Sequence, residues 1–323
     1  MSPTEPLFFR SIFRSYIWGG TRLKSFLNKP VPSGERWAES WEIVDHGDDQ
    51  SCVTEGPWKD WTLRRLIERF PVSILGRNAT PQSSFPLLLK YLDCHRVLSV
   101  QVHPNDDYAL KMTPPDLGKT EAWYVIDATD DALLYAGMKP GTNRQNMTEA
   151  LKEGRTEECL HRFHPKKGDC VFIPAGTVHA LGAGLIVAEI QQASNTTFRL
   201  FDWNRVESDG KARPLHIEQA LEVIDFDKGP VRSIVRPTIE SSNGRVLVDC
   251  DKFRLLELNQ STKFDSNGMF QIVTVVHGTA ELIWATGKQE LLLGQSALVP
   301  AACMNFELQL GSDATVLIAT AAA

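Results

Sequence analysis

What this 323-residue chain lacks narrows its class first. It has no run of about 18 apolar residues, the length a helix needs to cross a bilayer, so no membrane span is expected. Its first residues, Met1 to Phe9, lack a basic start followed by an apolar core. No secretory leader is visible there, and a cytoplasmic location is expected. The six cysteines (Cys52, Cys94, Cys159, Cys170, Cys250 and Cys303) are scattered and form no CxxC pair. They read as reduced, mostly buried thiols rather than a disulfide framework. Positive charge is also short. The 34 Lys and Arg stand against 40 Asp and Glu, a net charge of −6, which argues against a general nucleic-acid binder. A phosphorylated metabolite stays open, because a local basic pocket can oppose the global charge.

Helical pattern is scarce. Leu63, Leu66, Ile67 and Phe70 fall at helical spacing within 59–70, and Pro71 is expected to stop that helix. Residues 146–163 read as two short helices broken at Gly154, and 217–224 as a third helical region. Most of the rest reads as short strands rich in Leu, Ile, Val and aromatics, punctuated by Gly, Pro, Asn and Asp. The candidates are 87–92, 98–102, 122–126, 133–136, 170–173, 185–190 and 197–201. The Pro-rich, basic stretch Gly229 to Pro237 resembles a linker. Beyond it the strand pattern resumes at 253–258, 270–276, 280–284, 296–299, 306–310 and 316–319. The length allows two ordinary domains, drawn here as 1–235 and 236–323.

Two segments echo each other. Lys167-Gly168-Asp169-Cys170-Val171-Phe172-Ile173-Pro174-Ala175 resembles Leu293-Gly294-Gln295-Ser296-Ala297-Leu298-Val299-Pro300-Ala301, each with a glycine turn, a strand and a Pro-Ala stop. Such a repeat suggests a duplicated β-barrel unit. The second copy has Met304 where the first has His179, so no metal is expected there.

Four runs share one chemistry: Gln101-Val102-His103-Pro104, Lys119-Thr120-Glu121, Pro174-Ala175-Gly176-Thr177-Val178-His179 and Phe198-Arg199-Leu200. Two histidines, a glutamate and a glutamine amide make a mixed N/O ligand set for a divalent metal such as zinc with an open position. Gln101 and His103 are two apart on an expected strand, so they project from one face. A single histidine is more often a satisfied core residue; the combination, with Lys119 and Arg199 nearby, is what points to a metal site for an anionic substrate. His46, His95, His161, His164, His216 and His277 lack such a setting and read as surface or structural.

At these residues the chain resembles type I mannose-6-phosphate isomerase, a zinc-dependent cupin enzyme. The matching pieces include Tyr16-Ile17-Trp18-Gly19-Gly20, Ala38-Glu39-Ser40-Trp41-Glu42, Pro86-Leu87-Leu88-Leu89-Lys90 and Gly118-Lys119-Thr120-Glu121-Ala122-Trp123. They also include the run from Glu189 to Trp203, and together they extend over most of the first 205 residues. The absence of a large helical insertion resembles the short bacterial form. The resemblance implies a mainly β fold of two cupin-like (jelly-roll) β-barrels with a few short helices, only the first holding metal. It implies one zinc ion per chain on Gln101, His103, Glu121 and His179, and a catalytic arginine at Arg199. Its substrate-pocket positions fall on Ser99, Lys119, Glu39 and Glu189, with Trp18 as an aromatic near the site. The chain departs from the family in three places. Asn195 stands where many members have aspartate, Leu181 replaces a tyrosine of the longer members, and Phe198 replaces a tyrosine common in the short form.

The implied reaction interconverts mannose 6-phosphate and fructose 6-phosphate through a cis-enediol(ate). A metal, Arg199 and Lys119 are placed to stabilise charge or grip the phosphate, and Glu39 or Glu189 to move the proton. The expected partner is a small sugar phosphate, with no nucleic acid and no membrane, in a monomer or homodimer. Two alternatives remain open at this stage, since fold does not fix function: a non-catalytic sugar-phosphate-binding cupin regulator, and a metal-dependent cupin dioxygenase. The Asp202-Trp203 pair reads equally as a pocket wall or as a core aromatic beside a strand end.

Overall fold

Alternation inside three long strands explains the architecture. In Leu87–Cys94, Glu121–Ala128 and Leu185–Gln192 nearly every residue is buried. Leu87, Leu89 and Tyr91 belong to one apolar cluster, together with Ala122, Tyr124, Ile126, Ile186, Ala188 and Ile190. The intervening Leu92, Cys94, Trp123, Val125, Leu185 and Val187 belong to another. Side chains alternate across a strand, so a sheet of this composition must be covered on both faces.

The computed structural model describes residues 2–206, 210–233, 240–241 and 244–322. The chain is mainly β. Its large N-terminal sheet runs, in hydrogen-bonded order, Cys170–Ile173, Glu121–Ala128, Leu185–Gln192, Leu87–Cys94, Glu39–Ile43 and Ile12–Arg14. A smaller sheet runs Leu160–Phe163, Leu134–Met138, His179–Leu181, Val100–Val102 and Phe198–Phe201. The two share the Trp123, Leu134, Leu181 and Val187 core. The outer face of the small sheet is covered by the helices Arg144–Lys152 and Ile217–Val223, through Met147, Ala150, Ala220 and Leu221.

The C-terminal strands repeat this order. Ser296–Val299, Gln271–His277, Thr315–Ala321, Phe253–Leu258 and Gly244–Asp249 follow one another as the first five strands of the large N-terminal sheet do. Gly287–Leu292, Thr279–Trp284, Asn305–Leu310 and Thr262–Asp265 match the small sheet. The internal repeat therefore extends from a sequence echo to matching strand order. The interior of the second sheet pair is apolar, with Phe264 stacked on Phe306 at 5.0 Å and Val273, Val275, Leu282, Leu308 and Ile318 around them. Met304 is exposed. The two large sheets meet over one core that joins Leu89 and Ile190 to Phe253, Ile272, Leu298 and Leu317.

Several expectations need correction. Leu160–Phe163 is a strand, not the end of a helical region; only Arg144–Lys152 and a short 3₁₀ turn at Thr156–Cys159 are helical there. Pairing with Leu134–Met138 decides it. Pro71 does not simply end a helix. Leu63–Arg69 stops at Phe70, and Pro71–Leu75 forms a second helix, because proline fits a first turn that needs no N–H. Strands at Glu39–Ile43, Gly244–Asp249, Thr262–Asp265 and Gly287–Leu292 carry too many polar residues to stand out in the sequence. In the expected linker, Pro230 bridges to Gly137 and Val231 donates to the Ala136 carbonyl at 3.0 Å. Residues 234–237, and with them the expected domain boundary at 235/236, lie outside the described residues. All six cysteines are free.

Candidate active site

The site grows from three neighbouring strand ends. Gln101 lies on Val100–Val102, directly opposite both His179 and Arg199 in register. His103 follows one residue beyond that strand, and Glu121 opens Glu121–Ala128. His179 is delivered by the Pro174-Ala175-Gly176 corner. Gly176 adopts φ +84, a conformation that favours glycine, and its N–H donates to the His103 carbonyl at 2.9 Å. The corner thus ties the two histidine segments together.

His103, Glu121 and His179 form a buried group whose ligand atoms all lie within 4.8 Å of one another. His103 Nδ1 donates to the Thr196 carbonyl at 2.9 Å, and His179 Nδ1 donates to the Thr177 carbonyl at 2.9 Å. Both protons are therefore fixed on Nδ1, so both Nε2 atoms turn lone pairs into the site, where they accept from Gln101 and Lys119. These Nε2 atoms lie 3.5 Å and 3.3 Å from the two Glu121 carboxylate oxygens. Burial pushes the His179 pKa down to about 3, and burial followed by the Lys119 charge lowers that of His103. Both rings are neutral near pH 7. Two lone pairs facing a carboxylate repel one another unless a cation lies among them, and Lys119 meets the His103 side of the group. Both Glu121 oxygens are buried without a hydrogen bond of good geometry. Donors of this kind fit a zinc-type ion. Gln101 joins them through its amide, which donates to His179 Nε2 at 3.2 Å; rotating that amide by half a turn presents its oxygen instead.

Lys119 is the nearest cation. Its ammonium lies 2.6 Å from Glu121 Oε2, 3.0 Å from His103 Nε2 and 3.5 Å from Glu189 Oε1. It is buried, which excludes the surface ion pair that a lone lysine usually makes. Burial and the Glu189 charge push the Glu121 pKa up. Burial would raise Glu189 as well, but Lys90 and Lys119 outweigh it and hold that carboxyl down.

A cavity of about 300 Å³ opens beside this centre. Of the expected residues, Trp18, Glu39, Ser99, Gln101, Lys119, Glu189 and Arg199 all line it. Glu39 accepts from the Trp41 indole at 2.6 Å and lies 3.6 Å from Lys90. Arg199 donates to Ser99 Oγ at 3.3 Å and to the Pro214 carbonyl at 2.9 Å. Asn195 and Leu181, two of the departures from the family pattern, also line the cavity, whereas Phe198 is core. Asp202 and Trp203 are not among the lining residues. Asp202 pairs with Arg205 and Arg213, and Trp203 packs in the core and donates to the Leu98 carbonyl at 2.6 Å.

Seven lining residues were not among the expected site positions: Leu92, Leu98, Thr197, and the aromatic or charged Tyr16, Lys90, Trp123 and Arg213. Lys90 was legible in principle. A lysine inside Leu87-Leu88-Leu89-Lys90-Tyr91-Leu92 must be buried, and a buried charge needs partners. Its partners are Glu189 at 3.3 Å and Glu39. Trp123 shares the inward face of its strand with Glu121 and sets its ring edgewise on His179 at 5.2 Å. Arg213 gave no local signal; it enters from a distant loop.

The family model of the phosphomannose isomerase type I catalytic domain matches residues 7–124. Mannose-6-phosphate isomerase ManA of Bacillus subtilis is 37% identical over 309 residues, covering 95% of this chain and 96% of that protein. A mannose-6-phosphate isomerase of Streptococcus mutans is 33% identical over 92% of each chain. The crystal structure of the mannose 6-phosphate isomerase from Bacillus subtilis superposes with a TM-score of 0.87 at 30% identity, over 98% of this chain and 99% of that one. With likeness of this extent in sequence and in fold, the chain belongs to the type I phosphomannose isomerase family.

Proposed function

We propose that this chain interconverts mannose 6-phosphate and fructose 6-phosphate, with one zinc ion held by Gln101, His103, Glu121 and His179. The observation that carries the reading is the pair of fixed histidine tautomers. Both Nε2 lone pairs converge on one buried carboxylate beside a cavity lined by Lys119, Lys90 and Arg199. A bound zinc ion supplies Lewis-acid stabilisation of oxyanion charge.

The chain's own residues supply the rest. Isomerisation removes a proton from C2 of the open-chain aldose and returns one to C1, through a cis-enediol(ate). Arg199 cannot be neutralised near pH 7, so it serves as a fixed positive charge toward the enediolate or the phosphate. Glu39 and Glu189 are the candidate proton carriers. Glu189 lies within 3.5 Å of both Lys90 and Lys119, whose charges hold its carboxyl low and make it a poor base, and Glu39 lies 3.6 Å from Lys90. Trp18 and Ser99 contribute to the wall that holds the sugar. The region after residue 235 is read as a metal-free half with a structural role.

The test is a coupled assay with mannose 6-phosphate on metal-loaded and chelated protein. Turnover only in the loaded protein is expected, and full turnover by stripped protein would overturn the metal assignment. Glu121→Ala and His179→Ala should lose metal and activity while staying folded, because the apolar cores lie elsewhere. A His–Glu–His donor set also suits the iron of a dioxygenase. The lysine- and arginine-lined cavity and the family membership favour isomerisation, and oxygen uptake by iron-loaded protein would reverse that choice.

A further inference from the structure

The Thr196 carbonyl that fixes the His103 tautomer belongs to a loop, residues 193–197, that has no strand to hold it. Its backbone is tied by the Ala193 N–H to the Pro86 carbonyl and by Gln191 Nε2 to the Ser194 carbonyl, and the side chains of Ser194 and Thr196 are held by Asp116. One carboxylate oxygen accepts from Thr196 Oγ1 at 2.6 Å and from Ser194 Oγ at 2.9 Å. The other accepts from the Leu117 N–H at 2.8 Å and faces His46 Nε2 at 3.1 Å. Ser194 Oγ in turn accepts from the Thr196 N–H at 3.3 Å. Asp116 is not one of the cavity's lining residues, yet Asn195 and Thr197, on either side of Thr196, both are.

We propose that Asp116 is a positioning residue for the metal centre. It acts through Thr196: the carboxylate clamps the hydroxyl, the clamp aims the Thr196 carbonyl at His103 Nδ1, and His103 presents Nε2 to the metal. The inference rests on the zinc reading of His103, Glu121 and His179. Partners of this type, one step behind a ligand, typically alter metal affinity 10- to 100-fold when removed. The same clamp holds Asn195 at the cavity wall, so loss of Asp116 also raises KM for the sugar phosphate.

The experiment is zinc binding by equilibrium dialysis on the full chain, with the folded state of each metal-free variant checked by circular dichroism. Asp116→Ala is expected to weaken zinc binding by about 10- to 100-fold. Asp116→Asn, which keeps one acceptor oxygen, should recover part of that loss, and it serves if Asp116→Ala does not fold. Thr196→Val keeps the carbonyl but removes the clamped hydroxyl. A double-mutant cycle should then be non-additive, with Asp116→Ala costing markedly less affinity in the Thr196→Val background. Wild-type zinc affinity in both Asp116 variants, alongside loss of zinc in His103→Ala, would overturn the positioning role and leave the metal site intact. Unchanged zinc binding in His103→Ala would overturn the site itself, and the inference with it.

Discussion

Arg199 and Lys119 look alike in the sequence, as two cations beside expected ligands, but their surroundings separate them. Arg199 is half-buried at the cavity wall, where it donates to Ser99 Oγ and to the Pro214 carbonyl. Lys119 occupies the same corner as the candidate ligand atoms, 2.6 Å from Glu121 and 3.0 Å from His103, where a bound cation would compete with it. Arg199→Ala is therefore expected to retain metal and lower kcat by about a hundredfold or more, as loss of a preorganised charge does. Lys119→Ala should also retain metal, or bind it more tightly, and chiefly raise KM. Steady-state kinetics with metal analysis checks both; a change in KM alone for Arg199→Ala would recast it as a phosphate clamp.

His46 gives a pH prediction. Its hydrogen bond to Asp116, against the opposing effect of burial, raises its pKa from 6.5. The folded state therefore binds the proton more tightly than the unfolded state. The stabilisation is fully present below about pH 6.5 and fades as pH rises through the higher folded value. Asp116 is held well below the usual carboxylate range despite burial, by its bonds to His46, Thr196 and Ser194, so its own contribution persists above the unfolded value and disappears only in acid. An NMR titration should show the His46 midpoint falling in Asp116→Asn; an unmoved midpoint would refute the pairing.

Between residues and the whole molecule stand the elements that aim them. Alternation along Glu121–Ala128 sends Glu121 and Trp123 toward the site and Ala122 and Tyr124 into the core behind it. The approach to that strand depends on a close contact at Gly118. Its N–H donates to Asp106 Oδ1 at 2.8 Å, and a Cβ there would lie 2.5 Å from the Asp106 amide nitrogen and 2.6 Å from the Asn105 carbonyl carbon. These are backbone atoms, so they cannot rotate away. Gly118→Ala should cost on the order of 1–3 kcal/mol in stability by chemical denaturation. It should also displace Lys119 and lower activity beyond what the stability loss explains. Asp106 is held from the far side by Lys252 at 2.8 Å, so a residue of the second sheet pair braces the loop that carries Lys119.

At the scale of the whole molecule, the two sheet pairs share an interface built like a core. Phe85 and Phe270 pack at 4.7 Å, Tyr124 donates to Glu257 at 2.8 Å, and the Tyr91 hydroxyl bonds Thr274. Leu7 pairs through its backbone with Leu298, so the chain start is woven onto the C-terminal half. Unfolding should therefore be one transition. Of the eight tryptophans only Trp284 lies after the linker region, so fluorescence reports mainly the first sheet pair, while far-ultraviolet circular dichroism reports both. Coincident denaturant midpoints by the two probes are expected; separated midpoints would mean that the halves unfold independently. Among the described residues no helix is long and apolar enough to cross a membrane.

The sequence by itself determined the strand-rich class, the duplicated unit and the ligand candidates. These depend on local signals: apolar runs between turn residues, a repeated glycine–strand–Pro-Ala stretch, and His, Glu and Gln at strand ends. The tertiary structure decided what depends on partners distant in sequence. It turned Leu160–Phe163 into a strand by pairing it with Leu134–Met138, and it placed Lys90 between Glu39 and Glu189. It also brought Asp116 to Thr196, 80 positions away. The His103 tautomer belongs to this second group, whereas that of His179 is set by the Thr177 carbonyl two positions away. Which ring nitrogen carries the proton depends on a carbonyl 93 positions from His103, and no pattern along the chain encodes that encounter.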